Sequence, residues 1–369
     1  MKLHRITIAT TLCVVSGLPH WAIGQSASNG PIVEFKTLDE QELRSCLFIA
    51  DDQLRLRCFD GATGRSAVVK DGTAPAAVAE MDGGFLLFKQ PLDTQLSWFD
   101  RRWELEPSSK QGKFQVRPYK PVYLLPLYFN NTPNKRPTSP NPLNRVDTEQ
   151  DIDSEEMKFQ LSLKTKVLEN LVGDNGDVWF GYTQSSRWQV YNNELSRPFR
   201  ETNYEPEVIF TWRSSWAEFA DTTGWNPRLL GLSVNHQSNG RSLPLSRSWN
   251  RLIGMVGFER QNTTFQVRPW VRFQEDEEDD DNPDISDYMG RVDYLLVHKT
   301  QGHEISLLAR HNNKLNSRSR GTVQMDWAFP IRSNLRGHVQ FFSGYGESLI
   351  DYNHRSDYLG LGVSLVGWY

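Results

Sequence analysis

After its first two dozen residues this chain has no apolar run approaching the roughly 20 residues that a helix needs to cross a bilayer. Its mean hydropathy is negative, and together these features exclude a helical membrane protein. Basic residues do not cluster with interleaved aromatics, and the net charge is −4, so no nucleic-acid groove is expected. Cysteine is scarce as well, with three residues in 369. Cys46 and Cys58 lack both His partners and the tight C-x-x-C spacing of a metal or redox pair.

The first residues explain why such a cysteine pair closes a disulfide instead. Lys2, His4 and Arg5 form a basic start, Ile6 to Leu18 a short apolar run, and Ala22-Ile23-Gly24 a small-residue cleavage site. Residues 1–24 therefore read as a signal peptide, and an exported Cys46–Cys58 pair is expected to be oxidised. Cys13 has too little apolar sequence before it to serve as a lipid anchor.

Aromatics are abundant, with 12 Trp, 12 Tyr and 19 Phe, although only 38% of the chain is hydrophobic. A polar yet aromatic-rich exported chain suits a β-barrel embedded in a membrane. Two regions differ in texture. Residues 25–115 carry the cysteine pair and an Ala/Gly-rich middle, and read as a small N-terminal periplasmic extension of unassigned fold. Residues 116–369 are short alternating runs separated by polar turns.

In the clearest run, Met157, Phe159, Leu161 and Leu163 alternate with Lys158, Gln160, Ser162 and Lys164. Period two places the apolar set on one face, toward lipid, and the polar set on the other, toward a lumen. Similar runs begin near Lys120, Val178, Glu207, Arg228, Ser248, Thr264, Met289, Glu304, Gly321, Leu335 and Tyr358. The expected fold is all-β, a 12-stranded antiparallel transmembrane barrel whose last strand ends on an outward Tyr369. A water-soluble sandwich or barrel is the competing reading of the same alternation. The segment Asn130 to Asn144 and the acidic run Glu275 to Asp281 read as loops. The acidic run suits either a solvated loop or a collector of divalent ions.

Chemistry concentrates between Asn235 and Asn250. His236 and Ser238 are two residues apart, so on a strand both leave the same face with Cα atoms about 7 Å apart. A base and a nucleophile need that proximity. In a hairpin centred near Leu243, His236 falls opposite Asn250, which can accept from the His236 Nδ1 hydrogen and leave Nε2 free for the Ser238 proton. A neutral third member stabilises the imidazolium less than a carboxylate does, so additional stabilisation is expected from the amide near Gly240 or from a metal ion.

The run Asn235 to Arg251 closely resembles the signature of the bacterial outer-membrane phospholipases A, a His-x-Ser-Asn-Gly-Arg-Ser stretch followed by Ser-Arg-Ser-Trp-Asn-Arg. Three further blocks, Arg197–Pro206, Asp281–Ile285 and Ser343–Tyr352, are similar to that family and occur in its order. The resemblance covers roughly Tyr119 to Tyr369.

What the resemblance implies is a calcium-dependent phospholipase, hydrolysing acyl esters at the A1 and A2 positions and of lysophospholipids. It implies Ser238 as nucleophile, His236 as base, Asn250 as orienting residue and the Gly240 amide at the oxyanion. It also implies calcium at a homodimer interface, held by the Arg241 carbonyl and Ser246 of one subunit and Ser196 of the other, with Gln184 at the dimer contact. The family's acid five residues after the catalytic serine is here Leu243, while Asp281 retains the downstream acid of an accessory calcium position. For Gln184, strand parity alone leaves the lipid-facing and lumen-facing placements open. A non-enzymatic porin explains the strands but not the His236, Ser238 and Asn250 arrangement.

Overall fold

The computed structural model describes residues 46, 47, 49, 51, 54–56, 58, 59, 96–332 and 335–369. The expected signal peptide and most of the expected extension lie outside the described residues. The chain divides into two units, Met1–Ala79 and Glu80–Tyr369. In the first, Cys46 and Cys58 form a disulfide. Beside it Asp51 Oδ1 accepts from the Leu54 amide at 2.9 Å and so starts the helical residues 54–56.

The second unit is a closed antiparallel barrel of twelve strands. A three-residue strand, β1 (Val116–Pro118), precedes them and pairs with β3. The wall consists of β2 (Val122–Asn130), β3 (Glu155–Leu168), β4 (Asp177–Trp188), β5 (Phe199–Arg213), β6 (Asn226–Ser238) and β7 (Ser248–Arg260). It continues through β8 (Thr263–Arg272), β9 (Val292–Thr300), β10 (His303–His311), β11 (Gly321–Arg332), β12 (Leu335–Tyr345) and β13 (Arg355–Val366). Each strand pairs with its successor, and β13 closes on β2. Pro126 lies where the β2–β3 register shifts between Leu125 and Tyr128. A residue without an N–H fits that break in the ladder.

The twelve alternating runs of the sequence match the twelve strands in order. Starting points move by a few residues, most at β5, which begins at Phe199 rather than near Glu207; Met289 ends a short helix (Ile285–Met289), and β9 begins at Val292. At one end the connections at Gln261 and at Gln301-Gly302 are tight, with positive φ values that suit two-residue hairpin turns, while 169–176 and 214–225 are longer. At the other end they are long: 131–154, 189–198, 239–247, 273–291, 312–320 and 346–354.

Alternation sorts the two faces as period two requires. Lys158, Ser162, Lys164 and Lys166 are buried in the lumen, while Leu161, Phe180, Val208 and Leu232 are exposed on the outer wall. Apolar residues facing outward over the whole circumference require lipid rather than water around the barrel. The lumen is filled by ion pairs, among them Lys158 with Glu347 at 2.8 Å, Lys120 with Glu205 at 2.7 Å and Arg310 with Asp293 at 2.7 Å. Charges paired in this way persist because each member offsets its partner.

The mouth with the tight turns is plugged by α1 (Trp98–Trp103). Ser97 caps it by accepting from the Asp100 amide at 3.1 Å, and Glu104 ends it in the left-handed region. Phe99 and Trp103 enter a core with Trp179, Ile209, Leu229 and Met255. Lys164 places its Nζ 3.1 Å from the centre of the Trp103 ring and donates to the Arg102 carbonyl at 2.6 Å. Residues 96–115 thus pack with the barrel, although their composition groups them with the extension.

Tyr369 departs from expectation. The last strand stops at Val366, and the Tyr369 ring meets Phe99 edge-on with centroids 5.1 Å apart. The terminal aromatic completes the plug core instead of facing lipid, because α1 offers it an apolar partner.

Candidate active site

β6 and β7 form the hairpin that carries the site, and their register pairs His236 with Asn250 and Ser238 with Ser248. Leu232, Val234 and His236 are exposed, whereas Ser233 and Asn235 are buried. His236 and Ser238 therefore share the outer, lipid-side parity near the rim with the long loops.

His236 Nδ1 lies 2.8 Å from Asn250 Oδ1. The other end of the Asn250 amide is also engaged, since its Nδ2 donates to Glu275 Oε1 at 3.0 Å. Among the described residues, Ser238 and His236 are neighbours on one face and are not joined by a hydrogen bond. In enzymes of this kind that bond often tightens only with substrate.

Two residues past Ser238 the backbone turns sharply. Gly240 has a φ of +62°, and a Cβ there would lie 3.1 Å from the Tyr204 ring. The Asn239 amide donates to the Arg247 carbonyl at 3.0 Å, and the Arg241 amide to Asn239 Oδ1 at 3.2 Å. Among the described residues the Gly240 amide between them has no acceptor, which leaves a donor near Ser238 for an oxyanion.

The loop 239–247 also carries Arg241 and Ser246. Ser246 Oγ donates to Asp281 Oδ2 at 2.6 Å, and Asn144 joins both by donating to the Ser246 carbonyl and to Asp281 Oδ1, each at 2.9 Å. Leu243 is 52% exposed, so the position of the family's missing acid faces solvent or lipid. Ser196 is exposed on the β4–β5 loop at the same rim, with a φ of 54°. Gln184 follows Phe180 and Tyr182 on the outer parity of β4, and Thr183 between them is buried. The structure thus chooses the lipid-side alternative for Gln184, where its Oε1 accepts from the Tyr182 hydroxyl at 3.1 Å.

The acidic run does not behave as one solvated loop. Residues 276–279 are exposed, but Asp280 is buried against Arg272 at 2.6 Å and Glu275 is drawn to Asn250. Burial pushes the Glu275 carboxyl above its ordinary value, and Asp280 and Asp281 add to that push against Arg272 and the Asn250 hydrogen bond. Reading the run only as charge density hid Glu275; its distance from Asn250 is fixed by the β7–β8 pairing, which the sequence does not display.

The four blocks of the sequence converge here. Glu201 of the first block accepts from Asn239 Nδ2 at 3.3 Å and from the Ile350 amide at 3.1 Å. Asn203 accepts from the Leu349 amide at 3.2 Å, and the Tyr352 hydroxyl donates to Asp284. These bonds tie the rim loops 239–247 and 346–354 to β5, and 273–291 to 346–354.

The phospholipase A1 family model matches residues 99–365. The chain belongs to the phospholipase A1 family. A putative phospholipase A1 of Neisseria meningitidis serogroup B is 41% identical over 269 residues, spanning 71% of this chain and 68% of the relative. The outer membrane phospholipase A of Escherichia coli superposes with a TM-score of 0.62 at 34% identity, covering 69% of this chain and 100% of that one. The outer membrane phospholipase of Salmonella typhi, solved as a dimer with bound calcium, gives 0.62 at 33% identity over 70% and 95% of the two chains. This phospholipase is accordingly an ester hydrolase of the bacterial outer membrane.

Proposed function

We propose that the phospholipase works through a Ser238–His236–Asn250 triad on the outer wall of the barrel, activated when two copies meet and calcium binds between them. The observation that carries this reading is the 2.8 Å contact between His236 Nδ1 and Asn250 Oδ1 on the face that Ser238 shares. With Nδ1 donating to Asn250, Nε2 has a free lone pair and takes the Ser238 proton as Oγ attacks the acyl carbonyl. The alcohol leaves with that proton, and water then releases the fatty acid from the acylated serine. The Gly240 amide faces the developing oxyanion. A site on the outer wall near the rim meets the ester at the polar boundary of the bilayer, without extraction of the lipid. The same chemistry serves A1, A2 and lysophospholipid esters.

The calcium donors are the Arg241 carbonyl and Ser246 of one copy with Ser196 of the second. These are hard oxygens, as calcium requires, and the Ser246–Asp281 contact puts a carboxylate beside them. Bound there, calcium would polarise water and offset the neutrality of Asn250. Support for pairing comes from the Salmonella typhi calcium-bound dimer and from Gln184, a polar amide on the lipid side that gains from a matching partner. We further place the extension on the periplasmic side.

The test is fatty-acid release from phosphatidylcholine by the refolded protein, with calcium or with a chelator, and for Ser238→Ala. Release should need calcium and fall at least about 1000-fold in the variant. Calcium-dependent release that survives Ser238→Ala overturns the nucleophile, and ion conduction without any release favours a porin.

A further inference from the structure

A side-chain amide makes an ambiguous third triad member, because its oxygen and its NH2 group have nearly the same shape. If the NH2 group faced His236, the ring would have to accept at Nδ1 and carry its hydrogen on Nε2, and the base would be lost. Something must therefore select one orientation. A carboxylate can do so, since it only accepts, and Glu275 Oε1 stands 3.0 Å from Asn250 Nδ2 while Asn250 Oδ1 stands 2.8 Å from His236 Nδ1.

Resting on the triad reading above, we propose that Glu275 is a positioning residue that locks the Asn250 amide and lends its negative charge, through that amide, to the His236 imidazolium. The phospholipase then has a four-member line, Ser238–His236–Asn250–Glu275, in which a carboxylate sits one residue further out than in a Ser-His-Asp arrangement. Hydrogen bonds in series polarise one another, so the charge strengthens Asn250 Oδ1 as an acceptor.

Glu275 is held for this task. The Phe273 amide donates to the Asn250 carbonyl at 2.9 Å, extending the β7–β8 pairing past the last strand residue. Arg272 Nη2 lies 3.7 Å from Glu275 Oε2 and 2.6 Å from Asp280 Oδ1, and its Nη1 donates to the Asn282 and Pro283 carbonyls at 3.1 and 3.3 Å. The charged groups facing Glu275 are thus Arg272 from β8 and Asp280 and Asp281 from the loop. The Glu275 side chain is 22% exposed, so water competes only in part for its oxygens.

The experiment measures kcat and KM on phosphatidylcholine with saturating calcium, over pH, for the full chain and for Ser238→Ala, Glu275→Gln, Glu275→Ala, Asn250→Ala and Asn250→Ala/Glu275→Gln. Folding of each is checked by its heat-modifiable electrophoretic mobility. Glu275→Ala should lose about 10-fold in kcat with KM little changed, and Glu275→Gln, which can still accept, should lose less. In both, the acid limb of the pH profile should move to lower pH, because the imidazolium loses a nearby negative charge. With Asn250 already removed, Glu275→Gln should change kcat by less than about 2-fold, since the line is cut. Independent, multiplying losses, or an unmoved acid limb, overturn the role of Glu275 while Ser238→Ala remains inactive. An active Ser238→Ala instead overturns the triad itself.

Discussion

Glu347 offers the sharpest test of how this barrel is held together. Its carboxylate lies 2.8 Å from both Arg187 Nη2 and Lys158 Nζ, and all three side chains are at most 4% exposed. Arg200, 3.8 Å away, has its own partners in Glu156 and Asp351. Glu347→Gln keeps the shape but leaves Arg187 and Lys158 facing each other without an anion. Stranding buried charge in this way costs about 3–5 kcal/mol. Equilibrium unfolding in guanidinium, followed by tryptophan fluorescence in detergent micelles, reads the change. Adding Lys158→Met removes one stranded cation and should recover about half of the loss, because replacing a buried pair by apolar groups is often close to neutral. A single-variant loss below about 1 kcal/mol would refute the reasoning, since it would mean that lumen water already solvates these groups.

Two further outcomes follow from the plug. Trp103→Ala removes the ring that Lys164 covers and should cost about 3–5 kcal/mol in the same unfolding assay, with ion conductance in a planar bilayer rising as the mouth opens. For Glu104, burial raises its carboxyl, but Lys166, the Gln111 amide and Arg117 together lower it below its ordinary value of about 4.5. Its stabilisation is therefore complete above about pH 4.5 and is lost as the pH falls from there through the lower folded value, so the pH dependence of unfolding should flatten between those two values in Glu104→Gln.

The strands were legible because a barrel wall between lipid and a polar lumen imposes period two on every crossing. Lys158, Ser162 and Lys164 against Phe159, Leu161 and Leu163 already state which face is which. The His236–Asn250 pairing was legible for a related reason, since a short hairpin fixes its register by counting. Parity does not place Tyr369, because it is a rule for strands and the chain leaves the strand at Val366 to meet Phe99. Residues 96–115 were grouped with the extension because six helical residues and a few aromatics carry little periodicity.

By itself, then, the sequence determined the alternating wall, the number of crossings, and the local spacing of Ser238, His236 and Asn250, all of which depend on residues close in the chain or on a period that repeats. The tertiary structure alone decided which distant groups meet. Glu275 reaches Asn250 only through the β7–β8 register, Glu201 reaches Ile350 only across the closed barrel, and Gln184 faces lipid only once its strand's parity is anchored by its neighbours. Contacts between residues far apart in the chain depend on closure and register, and neither is written in local pattern.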